Sequence, residues 1–108
     1  MTQYGLDANV VQSICLVFSK FEKIQQVTLF GSRAKGNFQS GSDIDLTIKN
    51  SDISHTDMLN IQIALDDLDL LYKIDLLNYN TIKEPALKDH IDRVGVVFYE
   101  KKSEFYRI

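Results

Sequence analysis

The seven residues DIDLTIK, Asp43 to Lys49, alternate in polarity from first to last. Ile44, Leu46 and Ile48 fall on one side of an extended chain and Asp43, Asp45 and Thr47 on the other, so the segment reads as a strand with one buried and one polar face. Such a strand requires a cover for its apolar side, and the rest of the chain offers several. Between residues 7 and 24, Val10, Ile14, Val17, Phe18, Phe21 and Ile24 recur at helical spacing behind Asp7 as a candidate N-cap. A second helix starts from Ser54 or Thr56, carries Met58, Ile61, Leu65 and Leu68 as its stripe, and should stop near Asp69, where acids oppose the helix dipole. Pro85 opens a third, which runs to about Val94 and turns at Gly95.

Three further strands are expected: QVTLF at 26–30, YKIDLL at 72–77 and VVFYEK at 96–101. Between the first strand and DIDLTIK, Ser32 to Lys35 suits a short helix ended by Gly36, and residues 37–42 have turn composition. The expected fold is α+β, with a mixed sheet of about four strands, helices mainly on one face and a carboxylate-lined site on the other. At 108 residues, 1–108 reads as a single domain.

Charge narrows the partners. Twelve Lys+Arg stand against fifteen Asp+Glu, a net −3, with no block of like charge, so extensive nucleic-acid binding is not expected. No apolar run is long enough to span a bilayer and the N-terminus lacks a signal-peptide pattern, which points to the cytoplasm and away from membranes. Cys15, the one cysteine, lies at an apolar helix position and reads as core.

The chemistry concentrates in GSRAKGNFQSGSDIDL, residues 31–46. A chain that leaves a strand at Gly31 and enters a helix at Ser32 presents unpaired N–H groups and a hydroxyl, a setting that suits phosphate oxygens. Asp43 and Asp45 lie two residues apart on one strand face, and paired carboxylates suit Mg²⁺ completed by substrate phosphates. Asp75, between Ile74 and Leu76, would join them if its strand is a neighbour facing the same way. A P-loop is excluded, because Asn37 and Phe38 replace its Lys and Ser/Thr; a calcium loop is excluded by Ile48 at the glycine turn.

Gly31-Ser32, ten intervening residues and Asp43-Ile44-Asp45 resemble the signature of the DNA polymerase β-like nucleotidyltransferases. The fuller run GSRAKG followed by SDIDL, on so short a chain, is similar to the minimal nucleotidyltransferases that act as antitoxins to small helical HEPN-domain proteins. The resemblance implies transfer of a nucleoside monophosphate, AMP from ATP, to an acceptor hydroxyl with two Mg²⁺ ions. Asp43, Asp45 and Asp75 would be the metal-binding and catalytic acids, and Gly31, Ser32 and Arg33 would meet the triphosphate. Arg33 and Lys35 are read as exposed loop cations, either solvated or adding charge to that phosphate site.

Larger members of this family add a helical domain that closes over the nucleotide, and nothing in this chain supplies one; a HEPN-domain partner, bound or nucleotidylated on a hydroxyl, is the expected complement. The alternatives are an antitoxin that neutralises its partner by binding alone, or an enzyme acting on a small molecule or an RNA end. Homo-oligomerisation stays open.

Plainer readings accompany the rest. Asp66, Asp67 and Asp69 read as solvated surface, and His55 and His90 as surface or half-buried residues without a catalytic role. The aromatic residues Phe98, Tyr99, Phe105 and Tyr106 serve either the core of the last strand or a partner surface.

Overall fold

The computed structural model describes residues 2–101. A two-stranded turn, β1 (Thr2–Gln3) and β2 (Leu6–Asp7), leads into α1 (Ala8–Ser19). Then follow β3 (Gln26–Phe30), α2 (Gly31–Lys35), β4 (Ile44–Lys49), α3 (His55–Asp66), β5 (Ile74–Asn78), a 3₁₀ turn at Tyr79–Thr81, α4 (Pro85–Val94) and β6 (Val96–Glu100). The main sheet is mixed, in the order β5-β4-β3-β6, with β4 parallel to β5 and the other pairs antiparallel. The α+β architecture with four main strands is therefore the expected one.

The alternation in β4 becomes two environments. Ile44, Leu46 and Ile48 join Val27 and Leu29 in a core that also takes Ile14, Val17 and Phe18 of α1 and Ile61 and Leu65 of α3. α1 ends earlier than its apolar spacing suggested, at Ser19, yet Ile24 beyond it is fully buried. Residues past the last turn can serve the core without being helical.

α3 starts from a capping box, in which Ser54 Oγ accepts from Asp57 N–H and the Asp57 carboxylate accepts from Ser54 N–H. It closes at Asp66, three residues before the expected stop, and Asp66, Asp67 and Asp69 are exposed as expected.

The helices are not all on one side. α1 and α3 cover the core face, whereas α4 crosses the face that carries the carboxylates. Ile91 is buried there, Gly95 lies against the Thr28 side chain, and Asp92 meets both Lys49 and Tyr79. α4 thus covers Thr28 and reaches Phe30 through His90, while Asp45 stays partly exposed.

Phe98 is buried and Tyr99 packs on Phe18, which assigns both to the core; Phe105 and Tyr106 lie outside the described residues. Cys15 is half-buried, donates to the Phe98 carbonyl at 3.6 Å and has its thiol pKa pushed up by burial. Among the described residues no helix is long and apolar enough to cross a membrane.

Candidate active site

Strand register assembles the acids. Asp45 pairs with Phe30 across the antiparallel β3–β4 ladder and with Asp75 across the parallel β4–β5 ladder. Residues directly opposite share a face, so Phe30, Asp45 and Asp75 form one row across three strands. Asp43 lies one residue before β4, exposed at the mouth of the same row.

The Asp45 carboxyl is held above its usual pKa, first by partial burial and then by the charges of Asp75 and Asp43, with His90 and Arg33 opposing the shift. Like charges on one face repel one another unless a cation offsets them. Among the described residues, however, no three acidic, histidine or cysteine side chains converge closely enough to enclose a metal. A row of carboxylates open on one side fits Mg²⁺ better than a closed cage would, because that ion keeps positions for substrate phosphates and water.

Gly31 carries the other half of the site. Its φ is +76°, and a Cβ built there would overlap the Asp45 carboxylate. Both the left-handed backbone and the close approach require glycine. A Gly31→Ala variant should therefore lose about 1–2 kcal/mol of stability and displace the Asp45 carboxylate, read as a lowered Tm. A variant that melts as the wild type does would refute the contact.

α2 begins one residue earlier than expected, at Gly31, with Phe30 as its N-cap, and ends at Gly36 in the left-handed region at φ +87°. Ser32 sits half-buried in its first turn, where N–H groups have no partner within the helix. The Gly31 N–H is not one of the free donors. It donates to Nε2 of His90 at 3.3 Å, across 59 residues of sequence.

Arg33 departs most from expectation. Read as an exposed cation, it is only 2% exposed, and its guanidinium donates to the carbonyls of Tyr4 at 2.9 Å and Ser42 at 2.8 Å, with a longer bond to Ser40. The rings of Phe38 and Tyr72 flank it at 5.2 and 5.1 Å. A five-donor fork suits several carbonyls at once, and the aromatic faces replace its lost water. Arg33 therefore holds the loop leading to Asp43 and is not a solvated charge. Lys35, by contrast, is exposed as expected.

His55 is exposed and His90 half-buried, as expected, and His90 also contacts Gly31 and Phe30 beside the carboxylate row. No local pattern marks either His90 or the burial of Arg33; both follow from elements remote in sequence. Beside Asp75 a cavity of about 390 Å³ opens toward α3, lined by Gln62, Asp66, Asp69, Tyr72 and Lys73 among others. Lys73 Nζ lies 3.6 Å from the Asp75 carboxylate, an exposed pair that a ligand could displace at little cost.

A family model described as "Polymerase beta, Nucleotidyltransferase" matches residues 12–104. No curated protein matches. Among solved structures, a toxin–antitoxin crystal structure with AMP-PNP aligns with a TM-score of 0.65 at 20% identity, covering 85% of this chain and 74% of the other. A mutant of the toxin–antitoxin pair MntA–HpeT, in which two aspartates two residues apart are replaced by glutamate, aligns with a TM-score of 0.62 at 18% identity, covering 90% and 76%. At those identities the likeness is one of fold.

Proposed function

Because this chain belongs to the polymerase beta nucleotidyltransferase family, we propose that it transfers AMP from ATP to a hydroxyl of a cognate HEPN-domain toxin and so acts as its antitoxin. The observation that carries the reading is the row in which Asp45 stands directly opposite Asp75 and against Gly31. The toxin–antitoxin neighbours, one with AMP-PNP and one altered at two aspartates of the same spacing as Asp43 and Asp45, support both the nucleotide and the partner.

In this reading the acceptor oxygen attacks the α-phosphorus, the bond between that phosphorus and the oxygen bridging to the β-phosphate breaks, pyrophosphate leaves, and the acceptor proton passes to water. Asp43 and Asp45 would hold Mg²⁺, with Asp75 adding to a second ion. Bound there, the cations would offset the triphosphate charge and favour loss of the acceptor proton. Ser32 and the first turn of α2 orient the departing phosphates. Asp75 orients the acceptor hydroxyl. Arg33 acts on Asp43 through the loop that it fixes. We expect the reaction in the cytoplasm.

Intact-mass spectrometry tests this directly. The protein is mixed with the purified product of its genomic neighbour, ATP and Mg²⁺, beside an Asp43→Asn/Asp45→Asn control. An AMP-sized mass gain on the neighbour, absent in the control, is the expected result. Association without mass gain would leave an antitoxin that acts by binding alone, and a gain on a small molecule or RNA end would move the acceptor elsewhere.

A further inference from the structure

His90 lies on α4, outside the motif that carries the acids, yet it makes the one side-chain hydrogen bond recorded for the turn between β3 and α2 among the described residues. Its Nε2 accepts the Gly31 N–H at 3.3 Å, and its ring stands edge-on to Phe30 at 6.2 Å between centroids, 80° between planes. Phe30 is the residue paired with Asp45, and Gly31 is the residue against the Asp45 carboxylate. One imidazole therefore braces both neighbours of that carboxylate.

In this bond the ring nitrogen is the acceptor and the Gly31 backbone the donor, so a side chain without an acceptor at that point cannot replace it. α4 does not depend on this contact for its place. Ile91 is buried, Asp92 engages Lys49 and Tyr79, and Gly95 lies on Thr28.

We propose that His90 is a positioning residue for the nucleotide site: by holding the Gly31 N–H it fixes the separation between the Gly31–Ser32 turn and the Asp45 carboxylate. The inference rests on the nucleotidyltransferase reading above. Gly31 is the point at which that separation can change, because glycine, here at φ +76°, has more backbone freedom than any other residue.

Two variants separate positioning from packing. His90→Phe keeps an aromatic ring beside Phe30 and removes the acceptor; His90→Gln loses the ring but can present an amide oxygen where Nε2 stood. Calorimetric titration with AMP-PNP and Mg²⁺ should show affinity about fivefold to tenfold weaker for His90→Phe, the scale of one hydrogen bond, with His90→Gln within about twofold of wild type. Melting temperatures taken without nucleotide serve as the control for packing, and a packing role would weaken the glutamine variant at least as much as phenylalanine. Wild-type affinity in His90→Phe, or a loss in His90→Gln equal to that in His90→Phe, overturns the positioning role while leaving the nucleotide site in place. A wild-type protein that binds no AMP-PNP with Mg²⁺ overturns the nucleotide reading itself, and the role of His90 falls with it.

Discussion

Asp45→Asn is expected to reduce nucleotidyl transfer by about a hundredfold to a thousandfold and, at neutral pH, to melt above the wild type. The two effects share a cause. The Asp45 carboxyl is partly buried and faces the charges of Asp75 and Asp43, which together raise its pKa in the folded chain. Folding therefore disfavours its ionised form, a cost that an uncharged amide of the same shape avoids.

The pH dependence follows in sign. An acid whose pKa is raised by folding destabilises the native state fully above the raised value. That cost shrinks as pH falls through the raised value and is gone below the ordinary 3.8 of the unfolded chain. The stability gap between variant and wild type should close over that acidic window.

Mg²⁺ with ATP should stabilise the wild type and leave the variant unmoved, because a ligand stabilises only the form that binds it. Melting curves across pH, with and without Mg²⁺ and ATP, measure all of this. A variant that melts below the wild type at pH 7 would show that the row carries no electrostatic burden, and retained transfer would remove Asp45 from the chemistry.

Arg33→Ala should have the largest effect on folding, about 3–5 kcal/mol, and lower the Tm by more than about 10 °C. The side chain is among the largest that are fully buried. Its loss leaves the Ser42 and Tyr4 carbonyls short of their donor, empties the space between Phe38 and Tyr72, and frees the loop that leads to Asp43. Each of these terms alone is worth on the order of 1–3 kcal/mol. Arg33→Lys should recover only part of the stability, since an ammonium lacks the planar fork that reaches several carbonyls together. Chemical denaturation of the three proteins decides the matter. A loss below about 0.5 kcal/mol in Arg33→Ala, the level of an ordinary surface change, would return Arg33 to the role of a solvated cation.

Most of the scaffold is legible in the amino-acid sequence. β3 and α4 lie where composition and the single proline put them, and β4 begins one residue inside the alternating run. Boundaries drifted where the chain leaves a helix but stays packed, as at Ile24, because apolar spacing reports burial and not backbone hydrogen bonding. The small turn at residues 2–7 carries no sequence signal of its own. It is held by its own short ladder and by the bond from Arg33 to the Tyr4 carbonyl.

The candidate site divides along the same line. Alternation within one strand assigned Asp45 to the polar face, since side-chain direction has a period of two and needs no other part of the chain. That Asp75 stands opposite it depends on β5 joining β4 in parallel with one particular register, and a shift by one residue would have turned Asp75 into the core face. Arg33 and His90 lie further still from local inference. An arginine in a polar loop is solvated by default, and only three carbonyls and two rings brought from three segments make its burial affordable. A histidine on an amphipathic helix has no role until α4 crosses the sheet and sets its ring against Gly31. Periodicity settles which way a residue faces; what it meets there is set by packing between elements distant in the chain.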